Sequence, residues 1–312
     1  MNALLDVILP VFLVIGFGYS AARAGLFDDG AVDGVMRFAQ TFAAPCLLFR
    51  SIATLDLGQA YQAGLMLSFY LGAFAGFAAG FAGAVLLFRR PVTDAVAIGF
   101  VCLFSNSLLL GLPITERAYG AEALAGNYAI LSIHAPMFYA FGIIAMEVAR
   151  SRGQGLSPRT IAVKAGRAIA TQPLVVGIAL GFAVNLSGVV LPTFVWSAVN
   201  LIASAAIPVA LFGLGGVLLR YRPQGDMRAI GFCCAVSLML HPLVTWSLGR
   251  FAFGLSDAAL RSAVMTAAMA PGVNAYLFAN LYGVAKRVAA SSVLIATAAS
   301  ILTIWGWLHV LP

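Results

Sequence analysis

The feature that most limits this chain is a succession of apolar runs of membrane-spanning length, repeated from one end to the other with charged or turn residues between them. The hydrocarbon layer of a bilayer takes about 20 apolar helical residues per crossing. Runs of that kind fall near residues 3–22, 31–54, 63–88, 92–114, 124–148, 172–190, 193–219, 227–249, 257–283 and 286–310. Backbone polar groups find no partner in lipid, so spans without strand alternation must be helices. The expectation is an all-α integral membrane protein of ten transmembrane helices. The connections leave no room for a soluble domain. Charged residues make up only 9% of the chain, against about a quarter in soluble domains, which argues against a soluble enzyme on a single anchor. The first run has Asp6 and no basic residue before it, unlike a signal peptide, and reads as the first span.

Lys and Arg outnumber Asp and Glu by 18 to 11, a net charge of +7 that in a soluble domain would suggest nucleic acid. Here it reads as topology. All but four of the basic residues, Arg50, Arg117, Arg250 and Arg261, lie in or beside the odd-numbered connections. Basic residues accumulate on the cytoplasmic side, so this sorting supports ten spans in the cell membrane, with both termini outside the cytoplasm. The four cysteines lie within apolar runs without metal-ligand spacing and read as small buried hydrophobes.

The two halves share an offset of 163 residues: Pro10 with Pro173, Gly18 with Gly181, Pro45 with Pro208, Leu48-Phe49 with Leu211-Phe212, and Tyr119-Gly120 with Tyr282-Gly283. The domain reading is therefore a first repeat over 1–149, a connection over 150–171 and a second repeat over 172–312. Five spans is an odd number, so the second copy is inverted relative to the first. Inverted repeats supply two near-equivalent conformations, one open to each side, as alternating access requires.

Spans four and nine each pair helix breakers with an asparagine. Span four reads Phe104-Ser105-Asn106-Ser107-Leu108-Leu109-Leu110-Gly111-Leu112-Pro113, and span nine reads Ala270-Pro271-Gly272-Val273-Asn274. Proline removes a donor and glycine loosens the helix, so each span reads as two half-helices whose free amides face the break. Half-helix N-termini meeting at mid-membrane would attract an anion without a buried Lys or Arg, and Asn106 and Asn274 would hydrogen-bond a carboxylate. For one such span, kinked packing with asparagines joining neighbouring helices is the simpler account. Recurrence in the penultimate span of both repeats favours a binding site, with Ser105, Ser107, Gly111, Pro113, Pro271 and Gly272 beside the asparagines.

Pro45 and Pro208, flanked by alanines, read as kinks for close packing. Gln40 and Thr41, one turn before Pro45, either face the site or join helices. His134, in span five with Tyr139, either titrates during transport or packs as a neutral, hydrogen-bonded ring. The acidic residues lie at span ends or in connections, so no mid-membrane carboxylate is available for ion coupling. No HExxH, nucleophile elbow or Walker sequence occurs, and neither an enzyme nor an ATP-driven pump is supported. No metal or cofactor is expected.

With these residues in view, the chain resembles the auxin efflux carrier family, which includes the plant PIN-formed auxin exporters and bacterial permeases for malate and malonate. The resemblance rests on Met36-Arg37-Phe38 leading to Phe42-Ala43-Ala44-Pro45, on Asn106 through Pro113, and on Pro271-Gly272-Val273-Asn274-Ala275-Tyr276. It implies two inverted five-helix repeats with broken helices four and nine crossing near mid-membrane, and a homodimer. Spans one, two, six and seven would form a scaffold and the rest an elevator-type moving part. It carries the family's site asparagine onto Asn106, with Gly111 and Pro113 at the crossing, and sets His134 and Tyr139 where members keep polar and aromatic site residues. Asn274 follows the bacterial pattern. The acidic residue of plant members in span three has no counterpart near Ser68.

The resulting expectation is a secondary transporter of small organic anions, mono- or dicarboxylates or auxin-like acids, whose coupling ion the sequence does not identify. The alternatives are a sodium-coupled symporter of the bile-acid type and a membrane sensor or scaffold that retains a transporter fold without transporting.

Overall fold

The computed structural model describes residues 4–150 and 158–312, and among these the chain is helical, with no strand. In chain order the helices are α1 (Leu4–Arg23), α2 (29–53), α3 (Ala63–Leu86), α4 (Val92–Leu103), α5 (107–119), α6 (Ala121–Arg150), α7 (Pro158–Ala170), α8 (Pro173–Ser187), α9 (Thr193–Arg220), α10 (Met227–Ala252), α11 (Asp257–Ala267), α12 (Val273–Tyr282) and α13 (Lys286–Val310). Six of them, α1, α3, α6, α9, α10 and α13, are long and apolar enough to cross a membrane, and α4 and α8 are shorter apolar helices. The expected joint at 150–171 lies partly outside the described residues; its described part is α7.

Local chemistry sets several boundaries. The Asp28 carboxylate accepts from the Ala31 amide at 2.7 Å and opens α2, Asp226 accepts from Arg228 and Ala229 to open α10, and Ser256 accepts from Ala259 to open α11. At the far ends of α5 and α12 stand Gly120 and Gly283, with φ of 88° and 74°, where a side chain would be strained. Each follows a tyrosine whose ring lies 4.7 Å beneath an arginine: Arg261 over Tyr119 and Arg150 over Tyr282.

Five turns among the described residues widen by one residue, at Leu4–Ile8, Ala39–Ala43, Ser107–Gly111, Val236–Leu240 and Leu248–Ala252. In the first four a proline follows two residues later: Pro10, Pro45, Pro113 and Pro242. The proline ring would collide with the carbonyl four residues back, which sits at the centre of the wide turn, and widening relieves the collision. The carbonyl opposite Pro10 belongs to Asp6, and it accepts from the Arg117 guanidinium at 2.7 and 3.1 Å. Pro136 and Pro208 lie inside α6 and α9 without such a turn.

Packing separates two groups of helices. α1 and α2 lie along α9, and α8 lies along α2, whereas α3 and α4 pack on each other and with α6, α10 and α11, and α12 packs on α13. The first group closes through glycines. A Cβ on Gly18 of α1 would stand 1.9 Å from the Phe212 carbonyl of α9, and one on Gly181 of α8 would stand 2.9 Å from the Phe49 carbonyl of α2. Both glycines and both phenylalanines are separated by the same 163 positions found in the sequence, so the two contacts are reciprocal. The second group holds the main apolar core, around the fully buried Phe69, Phe100, Phe138 and Phe278.

Candidate functional site

The chain leaves helical form at Phe104–Asn106, between α4 and α5, and again at 268–272, between α11 and α12. The two interruptions cross and pair. The Asn106 amide donates to the Ala270 carbonyl at 2.8 Å and the Gly272 amide to the Phe104 carbonyl at 2.9 Å, an antiparallel bridge of Ser105 with Pro271. Proline at 271 costs this bridge nothing, because its two donors are the amides of Asn106 and Gly272. Ser105 and Ser107 close the turn by a hydroxyl pair at 2.8 Å. Non-helical backbone inside an apolar body is thus satisfied by a partner from the other half of the sequence.

Beyond the crossing, α5 and α12 begin with amides that have no carbonyl one turn behind them. The amides of Leu108, Leu109, Val273 and Asn274 find no backbone acceptor among the described residues. All four residues line one cavity of about 160 Å³. Its other walls are α2 through Gln40, Thr41, Ala44 and Leu48, α6 through Leu131 and His134, and α8 through Pro173 and Ile178. Asn106 is 7% exposed and Asn274 half-buried, and neither side-chain amide hydrogen-bonds to protein among the described residues. Among the described residues, no Asp, Glu, Lys or Arg lines the cavity. Its polarity comes from two helix N-termini, two carboxamides and the serines of the crossing, which together donate toward an acceptor and present no fixed charge.

Of the residues singled out in the sequence, Gln40, Thr41, Ser105, Asn106, Ser107, His134, Gly272 and Asn274 share this cavity. Four do not line it. Pro271 lies in the bridge behind it. Gly111 packs toward the Met269 side chain and Pro113 is buried inside α5, because the helix breaks at Phe104–Asn106 rather than at the Gly111–Pro113 pair. The proline acts only to widen the turn before it. Tyr139 stacks near Phe100 and Phe104, at 6.0 and 5.6 Å, and is screened from the cavity by Phe104. Neither nitrogen of the His134 ring has a hydrogen-bond partner among the described residues, and the Ser105 backbone is its polar neighbour. Gln172, directly before Pro173, joins the cavity wall. Its polarity at the start of an otherwise apolar span was the available signal.

A second cavity, of about 410 Å³, shares Gln40, Thr41 and Val273 with the first and reaches Arg37, Arg220, Tyr221 and Tyr276. Arg220 is bound to the Asp29 and Asp33 carboxylates at 2.8 and 2.6 Å. Arg37 is exposed and forms no ion pair among the described residues. It stands one helical turn before Gln40 and Thr41, so a positive charge sits beside the way into the first cavity.

A family model described as "Membrane transport protein" matches residues 3–308. A protein of Rhizobium meliloti (strain 1021) named "Putative malonate transporter" is 26% identical over all of this chain and 97% of its own length. The "Uncharacterized transporter YfdV" of Escherichia coli (strain K12) is 22% identical over 97% of this chain and 96% of its own. The "Probable auxin efflux carrier component 5b" of Oryza sativa subsp. japonica is 22% identical over 94% of this chain and 92% of its own. A match along almost the whole length, with paired helix breaks at the motifs that carry the resemblance, identifies the chain as a multi-pass membrane transporter of the auxin efflux carrier family.

Proposed function

We propose that this transporter is a secondary carrier of small organic anions, with mono- and dicarboxylates as its substrate class, working by alternating access. The observation that supports this reading best is the convergence of the α5 and α12 N-termini, with Asn106 and Asn274, on a cavity free of charged side chains. Each N-terminus contributes about half a positive charge, and carboxamide donors complete an anion's coordination without trapping it. The name of the Rhizobium relative favours a dicarboxylate such as malonate.

In this reading the chain has ten spans in two inverted repeats, 1–149 and 172–312, with α4–α5 and α11–α12 as broken spans four and nine. The reciprocal contacts of Gly18 with Phe212 and Gly181 with Phe49 support the repeat, as does the arginine over each Tyr-Gly terminus. The cavity has one wall on α2 and α8 and the other on the crossing, so sliding one helix group against the other would carry the anion across as an elevator. The first group would be the dimerising scaffold. The second cavity lies at the Arg37 and Arg220 ends of α2 and α9; with the side richer in Lys and Arg taken as cytoplasmic, the proposed conformation is open inward.

The test is thermal stabilisation of the purified protein by malonate, malate, indole-3-acetate and a bile acid, with and without sodium, followed by uptake into proteoliposomes. A carboxylate should raise the apparent Tm and be taken up, and Asn106→Ala should weaken both. Stabilisation by bile acid with sodium alone would favour the bile-acid-type symporter, and binding without flux a sensor.

A further inference from the structure

The first cavity has one titratable side chain in its wall, His134. The ring is 2% exposed, and neither nitrogen has a hydrogen-bond partner among the described residues. It is packed edge-on against Phe104 at 4.7 Å and tilted against Phe138 at 4.5 Å, with Phe69 at 5.8 Å and the Ser105 backbone as its polar neighbour. Buried polar side chains are seldom left unpaired, and a histidine with both nitrogens unmet beside a ligand cavity points to a partner that comes and goes.

Charge accounting identifies that partner. A dicarboxylate brings two negative charges into a low-dielectric cavity, where two helix N-termini offset about one between them. No Lys or Arg supplies the second positive charge. The titratable groups around His134 do not supply it either. His241 of α10 lies across the Phe69 ring, which is 5.3 Å from it, Tyr139 lies across Phe104, and the Tyr70 hydroxyl of α3 donates to the Ile130 carbonyl at 2.8 Å. The Tyr61 hydroxyl pairs with Ser132 one turn from His134, and α2, α5, α8, α11 and the crossing present no titratable group to the ring.

We propose that His134 is the coupling site for one proton per dicarboxylate. The imidazole takes a proton from the aqueous medium as the dianion settles between the helix N-termini, and the imidazolium returns it to the medium on the opposite side when the anion leaves. A monocarboxylate, already balanced by the helix termini, binds without the proton. This inference rests on the organic-anion reading above and adds its coupling ion.

Two measurements on the purified protein test it. Calorimetric titration with malonate at neutral pH, in buffers of different ionisation enthalpy, should show uptake of about one proton per malonate bound in the wild type and none with acetate. In protein labelled with [15N]histidine, malonate should convert one ring of the chain's 3 histidines to imidazolium. That signal would be assigned to His134 by its persistence in His241→Gln and His309→Gln, whose rings lie outside the cavity. In His134→Gln, proton uptake should fall to zero. Zero proton uptake by the wild type, a neutral His134 ring at malonate saturation, or uptake persisting in His134→Gln because the anion itself carries the proton would each overturn the proposal. A wild-type protein that binds no carboxylate at all would instead overturn the organic-anion reading.

Discussion

The backbone amide of Asn106 donates to the carbonyl of Ala270 at 2.8 Å, and with the return bond from Gly272 to Phe104 it ties two helix breaks from opposite halves of the sequence into one unit. The tie depends on backbone donors, so it is tested at the backbone. Gly272 has φ of −74°, which both alanine and proline tolerate, and a Cβ there meets nothing closer than 3.5 Å. Gly272→Ala should fold normally. Gly272→Pro removes the amide and sets a ring carbon against the Phe104 carbonyl, and it should cost about 1–3 kcal/mol, read as a lower Tm in detergent.

Asn106 and Asn274 leave their carboxamides unpartnered by protein, so truncating either removes nothing from the fold. Asn106→Ala and Asn274→Ala should keep the wild-type Tm within about 2 °C while weakening malonate binding roughly 10- to 100-fold, the worth of a hydrogen bond to a charged acceptor. Unchanged affinity in both would remove these residues from the site.

Gly16 and Gly18 lie two positions apart on α1 and face different surroundings. A Cβ on Gly16 meets nothing within 4 Å, whereas one on Gly18 meets the Phe212 carbonyl at 1.9 Å. Gly18→Ala should lower stability by about 1–3 kcal/mol through forced separation of α1 from α9, and Gly16→Ala should be neutral or slightly stabilising. Paired unfolding curves of the two variants give the comparison.

Arg37 should act on the rate of capture more than on final affinity. With Arg220 held by Asp29 and Asp33, Arg37 is the unpaired positive charge on the second cavity among the described residues. Arg37→Gln should slow malonate association about 3- to 10-fold at low salt, and the difference should shrink near 0.15 M salt, where the Debye length is about 8 Å. Stopped-flow binding at two ionic strengths measures this directly.

Asp226 provides a pH test outside the spans. Partial desolvation works to raise its pKa, but the Ala229 and Arg228 amides and the Arg90 guanidinium outweigh it and hold the carboxyl below its ordinary 3.8. Because the folded value lies below the unfolded one, the stabilisation is complete above the ordinary value and is lost as pH falls through the folded value. The stability gap between wild type and Asp226→Asn, which keeps a capping oxygen, should be constant from about pH 7 to 5 and close in stronger acid.

Helix positions were legible because lipid demands long apolar runs, separated in this chain by charged and turn residues. The cavity was legible in composition, since Asn106 and Asn274 are polar residues that an apolar span does not otherwise need. The location of the break was not. Pro113 is the stronger local breaker, yet the helix opens at Ser105, because the decisive bonds come from Ala270 and Gly272, far away in sequence. The placement of Tyr139 was not legible for a related reason: one residue's rotation around α6 decides whether a ring faces the cavity or packs beside Phe104. Gln172 went unremarked because a residue at the edge of a run looks like the end of a loop.

The contacts of Gly18 with Phe212 and of Gly181 with Phe49 also bear on ancestry. Each half of the chain holds one glycine that needs a close carbonyl and one phenylalanine that provides it, at matching positions. On the proposed inverted-repeat reading, two copies of either half alone would satisfy both contacts. A gene half this size, inserted in both orientations, would on that proposal have had the means to pair with itself before any fusion.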